Sequence, residues 1–188
     1  MRKKIIALSF LAFVVVWGGY LYSEDLDPRF HSKEEVKWQI PFGRDYDYSD
    51  VLVTRAVDGD TLVLENNERV RLIGIDTPEM HESSKLNRDA QRSGQDEAAI
   101  KQLGRQSYEF TRKLVEGKRV RLGFDVERFD KYKRILAYVY LSDGTFVNAE
   151  IVKQGYASLL TIPPNVKYAD LFLKLYRQAR ENKRGLWE

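Results

Sequence analysis

The 188-residue chain has no cysteine and only two histidines, His31 and His81. Without thiols there is no disulfide framework, thiolate zinc site, cysteine nucleophile or lipidated cysteine. Two imidazoles cannot build a three-histidine metal centre and give a Ser-His-Asp triad little to choose from, so any metal is expected to be a hard cation on oxygen ligands. A surplus of one charge is also lacking, because 31 Lys and Arg stand against 28 Asp and Glu. The excess of +3 matches Arg2, Lys3 and Lys4, which leaves the remainder formally neutral. No internal repeat or low-complexity run is present. With 43% hydrophobic and 12% aromatic residues, the chain has material for one core.

Arg2-Lys3-Lys4 precedes an apolar stretch, Ile5 to Tyr22, interrupted only by Ser9, Gly18 and Gly19. Residues 1–22 are therefore expected to be a signal peptide or an uncleaved signal-anchor helix, with the basic flank in the cytoplasm and the domain exported. Residues 23–49 are acidic, carry Pro28 and Pro41 and lack sustained periodicity, which suggests a linker. Within it Val36, Trp38 and Ile40 alternate like a short strand.

Residues 50–188 form the expected domain. Alternation predicts a strand over 51–55, then Asp58-Gly59 marks a tight turn into a second strand, Thr61 to Leu64. After Asn66-Asn67 a third strand runs through Val70, Leu72 and Gly74 and stops at Thr77-Pro78. Residues 81–95 are rich in charge and serine and read as a long loop. Helical spacing of Ile100, Leu103, Ser107, Phe110 and Leu114 ends at Gly117. Two further strands carry Val120, Leu122 and Phe124, and Ile135 to Leu141. Asn148 is suited to cap a short helix, and a last helix is expected to place Tyr168, Leu171, Leu175, Ala179 and Leu186 on one side. The order predicts a five-stranded OB-type barrel with about three packed helices, an α+β domain.

Two acidic signatures and two arginines carry the chemistry. Alone, Asp58-Gly59-Asp60-Thr61 also reads as a plain hairpin turn, and Asp76-Thr77-Pro78-Glu79 as a helix start. An EF-hand is excluded, because its sixth and twelfth positions would be Val63 and Arg69. Hairpin geometry returns the third strand to where the second began, so Asp60 and Asp76 are expected to meet at one end of the barrel. Two such carboxylates repel unless a divalent cation lies between them. Glu79, three residues beyond Asp76, is then placed to act as a general base on water. Arg71 has opposite parity to Val70 and Leu72, and Arg134 opens a strand. Each also reads as a solvated surface group, but together they can neutralise charge on a pentacoordinate phosphate.

Four ordered motifs carry a resemblance: Ala56-Val57-Asp58-Gly59-Asp60-Thr61, Arg71-Leu72-Ile73-Gly74-Ile75-Asp76-Thr77-Pro78-Glu79, Asp130-Lys131-Tyr132-Lys133-Arg134, and Val147 through Gly155. With the closing Gly185-Leu186-Trp187, they make residues 50–188 resemble the staphylococcal nuclease (thermonuclease) family. That resemblance implies a Ca²⁺-dependent endonuclease hydrolysing DNA and RNA at the 5′ side of the phosphodiester to leave 3′-phosphates. It implies that Asp60, Asp76 and the Thr77 carbonyl bind calcium, with Asp58 nearby through water. Glu79 would be the base, Arg71 and Arg134 the phosphate-binding catalytic pair, and Lys131 and Tyr132 contacts to a terminal phosphate. No obligate protein partner is evident and a monomer is expected.

Departures fall on substrate handling. Where the family offers base-stacking tyrosines after Gly155, this chain has Thr161 and Pro163, which suggests stacking that is lost or moved to a ring such as Tyr156 or Tyr168. The segment from Met80 to Gly104 is longer than in the family and carries His81, Lys85, Arg88 and Arg92. The alternative function is a catalytically silent oligonucleotide- or protein-binding OB module at the cell envelope.

Overall fold

The computed structural model describes residues 46–94 and 96–188. The apolar segment and the expected strand around Val36, Trp38 and Ile40 lie outside the described residues. In chain order the elements are β1 (Val51–Ala56), β2 (Thr61–Leu64), β3 (Arg69–Leu72), β4 (Gly74–Asp76), α1 (Ser84–Ser93), α2 (Glu97–Val115), β5 (Arg119–Gly123), β6 (Ile135–Leu141), α3 (Val147–Lys153), β7 (Ser158–Leu160) and α4 (Ala169–Glu181). A short 3-10 turn, Gly185–Trp187, follows.

Five strands close into a barrel in the order β1-β2-β3-β6-β5, as expected from the strand pattern. β1, β2 and β3 form the antiparallel meander, β6 runs parallel to β3, and β5 returns to β1 through Val51 opposite Val120. Alternation decides which face goes inward. On β5, Val120 and Leu122 are buried while Arg119 and Arg121 are exposed, and on β3 Val70 and Leu72 fill the core beside Leu62 and Leu64. Tyr46 and Tyr48 pack against this core, and Tyr48 O accepts from Leu122 N at 2.9 Å.

The third strand is not continuous. It breaks at Ile73 into β3 and β4, and β4 leaves the barrel to pair with β7, Gly74 opposite Leu160 and Asp76 opposite Ser158. Gly74 makes the departure possible: its φ is +84°, and a Cβ there would collide with the ring of Phe172. The buried Asn148 holds the break. Its Oδ1 accepts from Val139 N at 2.9 Å, while Nδ2 donates to Ile73 O at 3.0 Å and Ala137 O at 3.3 Å. Asn148 is therefore not a helix cap. It lies inside α3, whose N-cap is Phe146, and its amide bonds the sheet.

Two further expectations are corrected. Residues 81–95 are not one loop, because α1 forms within them, giving four α-helices among the described residues instead of about three. Ser83 caps it, its Oγ accepting from Leu86 N at 3.0 Å, and Gly94 ends it in the left-handed region. Leu86 is fully buried, but with so few apolar neighbours the helical period is hidden. In α4 the buried residues are Phe172 and Ala179, while Leu171 stays exposed and Leu186 belongs to the 3-10 turn. Large aromatic area at Phe172, packed near Tyr138 and Phe146, sets the rotation of that helix.

Asn148→Ala would orphan the buried groups that this amide serves, namely the Val139 N–H and the Ile73 carbonyl, at a cost of about 1–3 kcal/mol per group. Urea unfolding is expected to show a clearly lowered midpoint for this variant with an unchanged slope.

Candidate active site

The register between β2 and β3 sets Thr61 opposite Arg71, so Asp60, at the end of the β1–β2 turn, arrives beside the Arg71 side chain. Leu72 N donates to Asp60 O at 2.9 Å and fixes that approach. Asp60 is only 5% exposed, and both oxygens of its carboxylate have partners from within the protein. Oδ2 accepts from Thr77 N at 2.9 Å and Thr77 Oγ1 at 3.0 Å. Oδ1 accepts from Thr61 Oγ1 at 3.1 Å and faces Arg71 Nε at 3.2 Å.

Arg71 lies between the two acids that the sequence expected to meet. Besides Asp60, its Nη2 reaches Asp76 Oδ1 at 3.0 Å, and Nη1 donates to Leu72 O at 2.9 Å and Ile75 O at 2.8 Å. A guanidinium carries five N–H groups, so these contacts leave one Nη2 hydrogen uncommitted. Asp60 and Asp76 thus need no metal ion to lie near one another, which corrects the expectation from repulsion alone. Asp58 adds a third carboxyl to Asp60 and Asp76 beside the one guanidinium of Arg71. Burial, and next the charge of Asp60, push the Asp58 carboxyl up to about 7.

Asp58, Asp60, Arg71, Asp76, Thr77 and Glu79 line one cleft of about 620 Å³, and Asp130, Lys131, Tyr132 and Arg134 form a second stretch of its wall. Asp130 shapes that second wall. Its Oδ1 accepts from Tyr132 N and Arg134 N, both at 2.9 Å, and its Oδ2 holds Arg134 Nε at 2.7 Å. Burial alone would raise this carboxyl, but the hydrogen bonds from the Arg134 amide and guanidinium hold it below the usual carboxylate range. Lys131 and Tyr132 are exposed at the rim. Every sequence-derived site residue therefore lies on the same cleft. Of the basic residues between Met80 and Gly104, Arg88 also lines it, and His81 is exposed.

A hard cation fits this chemistry. Asp60, Asp76 and the Thr77 carbonyl are oxygen donors, and the acid around Arg71 is in excess. Among the described residues no three acidic or histidine side chains form a ready-made metal cage, so a cation here would complete its shell with backbone oxygen and water.

Sequence reasoning gave no role to α2, yet its buried small residues carry both acidic segments. Thr111 Oγ1 donates to Gly59 O at 2.7 Å, and Ser107 Oγ donates to Tyr156 O at 2.7 Å. At Gly104 a Cβ would stand 2.5 Å from Glu79 O and 2.7 Å from Pro78 O. The Pro78-Glu79 backbone therefore runs directly against the helix. The signal was present in the sequence as Gly104-x-x-Ser107-x-x-x-Thr111, one face of a helix.

Comparison with known proteins gives the family. The profile described as staphylococcal nuclease homologue matches residues 69–188. The chain is 34% identical over 191 residues to the thermonuclease of Staphylococcus intermedius, covering 100% of this chain and 99% of that one. It is 32% identical over 176 residues to endonuclease YncB of Bacillus subtilis, with 90% and 77% covered. Over 143 residues it is 37% identical to the SPbeta prophage-derived endonuclease YokF of Bacillus subtilis, with 73% and 44% covered. The chain belongs to the staphylococcal nuclease family.

Gly104→Ala forces either α2 or the Pro78-Glu79 backbone to shift, and overpacking of this kind costs about 1–3 kcal/mol. The expected outcome is a lowered unfolding midpoint, with altered amide chemical shifts at Thr77, Glu79 and Met80 in the folded protein; an unchanged spectrum there would contradict the close approach.

Proposed function

We propose that the protein is a calcium-dependent nuclease that hydrolyses phosphodiester bonds of DNA and RNA and leaves 3′-phosphate ends. The observation that carries this reading is the single cleft shared by the Asp60–Arg71–Asp76 cluster, Glu79 and Arg134. Relatives named thermonuclease and endonuclease support it. Its acidic and basic walls suit a substrate that is itself an anion but reacts with a water activated by a carboxylate.

In this mechanism Glu79 takes a proton from water as the water oxygen attacks phosphorus in line. The bond from phosphorus to the 5′ oxygen breaks, and solvent protonates the departing oxygen. Arg71 directs its remaining Nη2 hydrogen at the phosphate, while Arg134, gripped through Nε by Asp130, presents its outer nitrogens from its own turn. Together they neutralise the extra negative charge of the pentacoordinate phosphate. Lys131 and Tyr132 at the rim bind a terminal phosphate. Calcium held by Asp60, Asp76 and the Thr77 carbonyl would supply Lewis-acid polarisation of the phosphate and water. We further propose that residues 1–22 export the domain, as a cleaved signal or a single-pass anchor, and that it acts as a monomer.

Glu79→Gln is expected to lower turnover of single-stranded DNA by roughly 10²–10⁴-fold without unfolding the protein. Near-normal activity in that variant would remove Glu79 from the chemistry. In a parallel assay, Ca²⁺ is expected to support cleavage, and chelator to stop it while circular dichroism stays native. Cleavage in Mg²⁺ that is absent in Ca²⁺ would overturn the metal assignment. A folded wild type that binds oligonucleotide but cuts nothing would make the protein a binding module.

A further inference from the structure

The cleft has exposed apolar lining that the phosphate chemistry leaves unexplained. Phe129 is 54% exposed, Leu160 40% and Ile162 59%, and all three line the cleft that holds Arg71 and Arg134. Exposed apolar groups gathered in a cleft beside charged ones mark a place where a ligand is apolar on one part and ionic on another. A nucleotide has that division, with an anionic phosphate and a base whose faces are poorly hydrated.

The wall is built to keep its shape. Asn165 is buried and ties the segment carrying Ile162 to the one carrying Phe129: its Oδ1 accepts from Glu127 N at 2.8 Å, and its Nδ2 donates to Glu127 O at 2.9 Å. Asp125 adds a second tie, accepting from Lys167 N at 3.1 Å. Phe129 is also adjacent in sequence to Asp130, which orients Arg134.

The other candidate rings have partners or duties of their own. Tyr156 stacks on Phe110 at 4.4 Å, and Tyr168 packs edge-on against Tyr138 at 4.6 Å with its hydroxyl hydrogen-bonded to that of Tyr140. Tyr132, 68% exposed on the same cleft, has Lys131 and Arg134 over its ring at 5.1 and 5.4 Å and serves the terminal phosphate in the mechanism above. Thr161 and Pro163 supply no aromatic ring. Phe129 takes part in none of these contacts, and more than half of its surface faces the cleft and solvent.

Resting on the nuclease reading, we infer that Phe129, backed by Leu160 and Ile162, is the platform for the nucleobase next to the phosphate held by Arg71 and Arg134. The platform presents carbon surface only, so it takes the face of any base and reads none of their edges. Only an unpaired base can lie on it, because in a duplex both faces are covered by neighbours.

The test compares binding of two labelled single strands of equal length, oligothymidylate and a base-free phosphodiester chain of tetrahydrofuran units, read by fluorescence anisotropy in Ca²⁺. Glu79→Gln serves as the background so that cleavage does not intrude. Adding Phe129→Ala is expected to weaken oligothymidylate binding about tenfold, the order for losing one stacked base, and to leave the base-free chain unchanged. Phe129→Trp is expected to restore the tighter value. Equal weakening on both chains, or no weakening on oligothymidylate, overturns the assignment. A wild type that cleaves nothing would defeat the nuclease reading instead, and the contrast between the two chains would still decide the role of Phe129.

Discussion

Asp60 is a carboxylate with almost no access to water, and a buried charge of that kind is tolerable only when the protein itself supplies its hydrogen bonds and countercharge. The donors come from three places: Thr61 next to it, Arg71 across the β2–β3 ladder, and Thr77 beyond the end of β4. Meeting that requirement draws the hairpin turn, the third barrel strand and the segment leading to Glu79 to one point. The cleft is what remains between that point and the Asp130–Arg134 turn.

The same electrostatics give Arg71 two incompatible-looking duties. It neutralises Asp60 and Asp76 and bonds two carbonyls, which fixes its plane and leaves little of its donor capacity for anything else. A guanidinium held so firmly needs no reorganisation to meet an anion, which is the advantage of a preorganised site. Arg134 is anchored by the same logic through a different acid. Each arginine is thus aimed by an aspartate, one from a barrel turn and the other from its own loop.

Local motifs made much of this legible. Turn chemistry at Asp58-Gly59 and the alternation of Val70, Arg71 and Leu72 were enough to bring Asp60 towards Asp76, because hairpin register sets that return, but not to place Arg71 between them. What escaped was decided by contacts distant in sequence. The split at Ile73 depends on Asn148, and the shelter of the Glu79 backbone depends on the missing side chain of Gly104. Helix α1 escaped for a different reason: one buried leucine, Leu86, carries the burial on a helix otherwise polar, so no period could be read. The apolar wall at Phe129 and Ile162 has no periodic signature either, since its two halves come from separate loops joined by Asn165.

The link between Asn148 and Ile73 spans 75 residues of chain, and those from α2 to Gly59 and Tyr156 span 52 and 49. Loops of that size must close before the bonds can form, so the cleft belongs to the high-contact-order part of the fold. A nascent chain that has delivered both acidic motifs but not yet α3 lacks the groups that fix them in place. Assembly of the reactive geometry consequently waits in the life of the polypeptide for the arrival of α3.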